Sequence, residues 1–410
     1  MVACATPAEP TPTPPADISA VVDVWEQLSG ADASTDHNAI VEVWNTLDSC
    51  FVERETLDVE ALGAAAIDAM TSQATVLDQP DSEHLSLVAI EAMLDVVDDP
   101  YTTFFTPDEY ALYSEDSEGK FGGIGATVGL KDERITITAP LPDTPAERAG
   151  IRPGDVILAV DGESTEGWTV TESVLRIRGP EGTPVRLRVL HEGAEEPVEI
   201  EIVRGTIEIT SVEWRLLPDG IAHVEISSFS SNTDEQMTAT IEKAIEMGVR
   251  AMILDLRNNP GGLLSTTVNI ASQFLVDGLV LYSVDGNDHR IEYEVRPDGL
   301  APDIPLVVLV NNGSASGSEV LAGALRDHDR AVLIGENTFG KGSVNLPHNL
   351  VDGSGLYCTI GRWYSPDGHL IEGEGLAPDI EVEPGTDEDQ DLQLDRAVEY
   401  LQSQVAAGAP

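Results

Sequence analysis

The run Asn-Asn-Gly-Ser-Ala-Ser-Gly-Ser-Glu at 311–319 puts three hydroxyls, Ser314, Ser316 and Ser318, at the start of a helix that follows an apolar strand. A serine there can serve as a nucleophile, because the first turn of a helix has unpaired N–H groups that can hold an oxyanion. Serine is also a routine helix cap, so the loop alone does not decide the matter. A second loop, GENTFGKGS at 335–343, offers Lys341, one of only four lysines in the chain. Ser–Lys pairs are a known variant of triad chemistry, and the two loops together point that way. A third loop, NNPGG at 258–262, also follows a strand. Open α/β sheets build their sites at such strand ends.

Rival chemistries lack their parts. Gly335, four residues, then Gly340-Lys341 nearly spells a phosphate-binding loop, but Gly342 stands where a hydroxyl should hold magnesium. The following SVNLPHNL contains Pro347 and does not read as the required helix. His328, flanked by Asp327 and Asp329, imitates a Ser-His-Asp set but sits at the polar end of a helix and reads as a solvated turn residue. His223 and His369 read as ordinary strand and turn residues. GSASG misses the nucleophile elbow because Ala315 holds its middle position, and neither HExxH nor SxxK occurs. No metal site and no cofactor are expected.

These loops need a scaffold, and the composition bounds it. A chain of 410 residues suggests two or three domains. Hydrophobic residues make up 41 %, enough for ordinary cores, and no apolar run reaches the ~18 residues of a membrane span. Disordered and integral-membrane classes are excluded. With 22 basic and 73 acidic residues the net charge is −51, which phosphate backbones would repel. Nucleic acid is therefore no partner. Such a surface fits a salty environment or lineage drift, and favours solubility through self-repulsion.

The three cysteines, Cys4, Cys50 and Cys358, lie too far apart for a disulfide framework or zinc ribbon. Cys50 and Cys358 fall in apolar-patterned segments and are expected to be buried. Cys4 follows small residues and precedes ATPAEPTPTPPAD, a Pro/Thr-rich tether at 1–16. This resembles the end of a lipoprotein signal, without the apolar stretch of a signal peptide. An extracytoplasmic location, periplasmic or at the outer face of the membrane, with lipid attached at Cys4, is one expectation; an incidental Cys4 is the other.

Residues 17–112 carry helical stripes, such as Ile40, Val43, Trp44 and Leu47. Residues 113–206 alternate as short strands, with one helix from about Thr169 to Arg178 that stops at Gly179-Pro180. This describes a small, partly open barrel. From 207 to about 388, continuous apolar strands alternate with amphipathic helices, the pattern of a buried sheet covered by helices. A last helix and tail fill 389–410.

Eight pieces, in order, resemble the carboxyl-terminal processing (tail-specific) serine peptidases. They are DDPYTTFFTPDEY (98–110), GGIG (122–125), TPAERAGIRPGDVILAVDG (144–162), RGPEGTPV (178–185), LDLRNNPGG (254–262), VNNGSASGSEVLAGAL (310–325), TFGKGSV (338–344), and GRWYSPDG with EGLAPDI (361–368, 374–380). The resemblance spans about two-thirds of the chain. It implies an α/β, crotonase-like (ClpP/crotonase type) protease core, an inserted PDZ domain at 113–206 and an N-terminal helical segment.

It also implies roles. Ser316 would be the nucleophile and Lys341 the base. Asn345 stands where a Gln normally positions the lysine, one methylene shorter. Oxyanion donors would be the backbone N–H of Gly317, where Ala is more usual, and that of Gly261. In the PDZ domain Gly122, Gly123, Ile124 and Gly125 would hold the carboxylate of a substrate tail, with Val174 and Ile177 walling the side-chain pocket. Arg178 would gate the site or stay a solvated helix-end charge. Partners would be proteins or peptides with free C-termini, in proteolysis or signal transduction. The alternative is a catalytically impaired tail-binding protein.

Overall fold

Apolar residues spaced three and four apart give four helices among the described residues from 18 to 97, and each helix buries that stripe. The structure is a computed structural model and describes residues 18–29, 37–77, 81–385 and 390–407. Cys4 and the tether at 1–16 lie outside the described residues. The helices are α1 (Ser19–Ser29), α2 (Asn38–Cys50), α3 (Val59–Val76) and α4 (Ser82–Val97). Asp58 caps α3 by accepting from the Ala61 N–H at 3.0 Å, and Asp81 caps α4 through His84 at 2.7 Å. Trp25, Ile40, Leu47, Met70 and Ile90 share one core with Leu350, Leu356 and Cys358. Cys358 is buried as expected, whereas Cys50, the last residue of α2, is only half-buried. After α4 come the short strand β1 (Thr103–Phe105) and helix α5 (Pro107–Glu118).

Two compact units divide the chain. The second comprises residues 111–211 with 230–236, wider than the 113–206 read from the sequence. It contains β2 (Lys120–Gly123), β3 (Ala126–Lys131), β4 (Arg134–Pro140), α6 (Pro145–Arg148), β5 (Val156–Val160), β6 (Glu163–Ser164), α7 (Val170–Ile177), β7 (Pro184–Leu190), β8 (Val198–Val203) and β9 (Gly205–Glu208). One sheet runs β3-β4-β5-β7-β8 with β6 beside β5, and β2 pairs with β9. Alternation in β7 sends Val185, Leu187 and Val189 inward, where they meet Ile135, Ile137 and Ile157. Thr169 and Glu172 form a capping box that starts α7 where the sequence places it.

The first unit resumes with β10 (Val212–Leu217), β11 (Ile221–Ile226), α8 (Thr233–Glu246, of which residues 233–236 are counted with the second unit), β12 (Ala251–Asp255), α9 (Leu264–Phe274), β13 (Leu279–Asp285), β14 (Arg290–Glu294), β15 (Leu306–Val310), α10 (Gly317–Asp327), β16 (Val332–Gly335), β17 (Ser343–Asn349), β18 (Gly355–Tyr364), β19 (Ile380–Glu381) and α11 (Leu392–Ala407). One sheet has the order β10-β11-β12-β15-β16-β19, parallel from β11 onward. β12 and β15 are buried throughout, which explains their unbroken apolar runs. A second, antiparallel sheet runs β1-β18-β13-β14, with β17 also on β18. Because β12, β15 and β16 are parallel neighbours, the loops NNPGG, NNGSASGSE and GENTFGKGS all leave the sheet at one carboxyl edge.

Candidate active site

Among the three serines, burial and backbone separate one from the others. Ser314 is fully buried, and its hydroxyl donates to the Leu256 carbonyl at 2.8 Å. Ser318 is equally buried and donates to the Asn259 carbonyl at 2.9 Å. Both hydroxyls hold the 311–319 loop to the 256–262 loop. Ser316 is half-buried and sits at φ 52°, ψ −112°. A β-carbon in that region strains the backbone by ~1–3 kcal/mol, a cost tolerated where surrounding structure enforces it. Ser316 is thus held at a sharp turn before α10, its side chain at the helix entrance.

Glu319 does the holding. It is fully buried in the first turn of α10. Its Oε2 accepts the Ser316 N–H at 2.9 Å and the Lys341 N–H at 2.9 Å. Oε1 accepts the Gly340 N–H at 2.8 Å and the Thr338 hydroxyl. One carboxylate therefore ties the serine loop to the lysine loop. Burial raises its pKa, while Thr338, Gly340, Lys341 and Ser316 pull it back down; the net direction is upward. Sequence reading missed Glu319, since a glutamate three residues past a serine reads as an ordinary capping box.

Lys341 is half-buried, its amine 4.9 Å from the Tyr101 ring centroid and 5.7 Å from that of Tyr357. Burial pushes its pKa down, and the charges of Asp99, Glu372 and Glu319 push it back up; the net shift is downward. That favours the neutral amine a base needs. The Trp363 indole N–H donates to the Lys341 carbonyl at 2.9 Å and fixes the loop.

Gly261 and Gly317 meet through their backbones. A β-carbon on Gly261, at φ 104°, would lie 2.8 Å from the Gly317 nitrogen and 2.8 Å from Ser316 Cβ. Gly317 opens α10, where N–H groups have no intrahelical partner. A β-carbon on it would lie 2.8 Å from Thr267 Oγ1, which accounts for Gly where Ala is more usual. Gly261 requires a correction. Its N–H donates to Asn259 Oδ1 at 2.9 Å, so it is not the open donor the sequence suggests. The next amide along, that of Gly262, takes over that candidacy.

Asn345 lies on β17, and its amide is occupied. Nδ2 donates to the Tyr101 carbonyl at 3.0 Å and to Thr359 Oγ1 at 2.7 Å, and Oδ1 accepts from Ser343 at 3.0 Å. Its contacts hold the Tyr101 segment against β18 rather than the amine. His223 is a strand residue as expected, on β11, whereas His328 departs from its reading. His223 is buried and bonded to Asp255 at 2.9 Å, and Arg257 joins the same carboxylate. His328 bonds the Leu279 carbonyl at 2.7 Å, a structural tie rather than a solvated turn.

Comparison with known proteins decides the family. Residues 220–382 match the model described as peptidase family S41, and 136–191 match a PDZ domain. Over 301 residues the chain is 38 % identical to a carboxyl-terminal-processing protease of Synechocystis sp., covering 72 % of this chain and 70 % of that protein. The chain belongs to the carboxyl-terminal-processing proteases of peptidase family S41. A probable CtpA-like serine protease of Staphylococcus haemolyticus is 42 % identical over 300 residues, 73 % of this chain and 60 % of that protein. The chain thus spans about three-fifths of the length of such relatives. Among solved structures, a photosystem II D1 C-terminal processing protease aligns at TM-score 0.52 and 29 % identity over 87 % of this chain and 96 % of its own.

The S41 match leaves the PDZ unit to be described by itself. Gly122 and Gly123 pair in register with Thr206 and Gly205. The carbonyls of Ile124 and Gly125 accept from the Ala146 and Leu141 N–H groups at 2.7 and 2.9 Å. Ile124 and Ile177 are sealed in this unit's core, whereas Val174 is half-buried on α7. Arg178 is no solvated charge. Its guanidinium lies 2.9 Å from Asp116 and stacks 3.8 Å over the Phe121 ring. Among the described residues no metal-binding cluster occurs, and no helix is long and apolar enough to cross a membrane.

Proposed function

We propose that this chain is a serine endopeptidase that cleaves proteins chosen by their C-terminal tails, with Ser316 as nucleophile and Lys341 as general base. One observation carries the reading: the strained Ser316 and the desolvated Lys341 are bound to the same Glu319 oxygen. The neutral Lys341 amine takes the proton from Ser316 Oγ as that oxygen bonds to the substrate carbonyl carbon. The carbonyl electron pair moves to its oxygen, which faces the N–H groups of Gly317 and Gly262. The ammonium then gives its proton to the departing amine nitrogen. Water, deprotonated by the same lysine, releases the acyl group.

The protease core is read as crotonase-like, with the PDZ unit inserted after an N-terminal helical segment. Residues 122–125 would receive the tail's carboxylate, with the half-buried Val174 shaping the side-chain pocket, the core residue Ile177 supporting it from beneath, and Arg178 gating. An extracytoplasmic setting, with lipid at Cys4, completes the proposal. Incubating the protein with unstructured polypeptides that differ only in their last three residues tests it. Cleavage that tracks the tail and vanishes in Ser316→Ala is expected; tail-independent cleavage would refute the selection step.

A second reading, a catalytically impaired tail-binding protein, draws on Asn345, whose amide is spent on Tyr101, Thr359 and Ser343. Reaction with a serine-directed probe separates the two.

A further inference from the structure

Glu372 lies directly beside the lysine loop. A β-carbon on Gly342 would fall 2.4 Å from the Glu372 nitrogen and 2.9 Å from its Cβ. The neighbouring Gly373 N–H donates to the Gly340 carbonyl at 2.9 Å. The Gly342 N–H faces the Glu372 carboxyl group, yet Oε2 is buried with no hydrogen-bond partner among the described residues. A buried carboxylate oxygen left unpaired costs free energy unless something else uses it.

We infer that Glu372 is the positioning residue of Lys341: its open oxygen accepts from the ammonium formed when the lysine takes the Ser316 proton. This rests on the Ser–Lys reading. The proton leaves Ser316 Oγ for Lys341 Nζ, and a cation appears in a half-buried site. A fixed anion there stabilises that cation, as the carboxylate of a triad stabilises an imidazolium. Asn345, whose amide is spent elsewhere, does not face this task.

The charged and titratable groups around the pair are few. Asp99 and Tyr101 come from the segment after α4, Glu319 from α10, and Tyr357 and Arg362 from β18. Burial raises the pKa of Glu372 most and Asp99 adds to it, while Arg362, the Gly342 N–H and Lys341 lower it; the net direction is upward. Of the carboxylates acting on the amine, Glu319 has every oxygen engaged and Asp99 bonds Thr102 and Thr359. Both Asp99 bonds fall on its Oδ2, and of the three carboxylates only Glu372 has a buried oxygen without a partner among the described residues.

The test is kcat/KM and kcat against pH for the parent, Glu372→Gln and Glu372→Asp. In Glu372→Gln the anion that favours the ammonium is gone, so the alkaline rise moves to lower pH. The plateau also falls, by roughly 10- to 100-fold, the range of one lost charge-assisted hydrogen bond. Glu372→Asp keeps the charge, so its midpoint stays near the parent's while its plateau drops less. A Glu372→Gln midpoint that stays or rises overturns the inference. If Glu372→Gln fails to fold, the pH dependence of Lys341 acetylation, read by mass spectrometry in parent and Glu372→Asp, replaces it. Near-coincident curves for the two are expected, and a Glu372→Asp curve displaced to lower pH although the charge is kept would overturn it. Parent activity that survives Ser316→Ala or Lys341→Ala fails the dyad reading instead, so the two failures are distinct.

Discussion

Ser316 and Lys341, 25 residues apart in sequence, donate their backbone N–H groups to one oxygen, Glu319 Oε2, at 2.9 Å each. The proposed nucleophile and the proposed base are therefore tied through one shared buried carboxyl group. Replacing Glu319 by Gln puts an amide where four donors converge. We expect kcat to fall at least tenfold, and stability to fall by about 2–4 kcal/mol from the loss of charge-assisted bonds. Urea melts and turnover measured together check this; unchanged values in both would mean the bridge is idle.

The serines should separate by kind of defect. Ser314→Ala and Ser318→Ala each remove a buried donor and should lose about 1–3 kcal/mol while keeping most activity. Ser316→Gly should abolish cleavage and gain stability, about 1 kcal/mol or more, by relieving the strain at φ 52°. Denaturation midpoints of the three variants decide it.

Lys341 links stability to pH. Burial holds its folded pKa below the unfolded value of ~10.4, so between the two the unfolded chain binds more protons. Stability then rises with pH across that window. A Lys341→Met variant escapes the penalty, so its advantage over the parent should be largest below the window and shrink as pH climbs through it. Unfolding free energies at neutral and strongly alkaline pH test the sign; a pH-independent difference would contradict it.

Asn345 acts on Tyr101. Removing its amide in Asn345→Ala frees the Tyr101 carbonyl and Thr359, and with them the ring beside the amine. We expect a fall in kcat of about tenfold with KM little changed. A change confined to KM would assign Asn345 to substrate binding.

Much of this was legible in the sequence because it is local. The start of α7 at Thr169, the apolar runs of β12 and β15, and the absence of a helix around Pro347 each follow from near neighbours. The lysine loop leads into β17 rather than a helix, which is why its near match to a phosphate loop fails. What stayed hidden joins distant segments. His223 reads as a strand residue until Asp255 on the adjacent strand meets it. Glu319 and Glu372 matter only once folding brings 316–319, 338–342 and 372 together. The Gly261 amide looked open because its capture by Asn259, two residues away, depends on a side-chain rotamer.

The PDZ reading predicts dependence on a free carboxylate. Amidating the C-terminus of a substrate removes the charge that residues 122–125 would bind, so kcat/KM should fall, mostly through KM. Equal values for acid and amide would assign that unit another role.

The most direct measurement of the central claim is mass-spectrometric mapping of a fluorophosphonate adduct on the parent and on Lys341→Ala at equal pH. The account predicts a single adduct on Ser316 in the parent and its loss in Lys341→Ala, with the variant still folded. An adduct on Ser314 or Ser318, or undiminished labelling of Ser316 without the lysine, would contradict it.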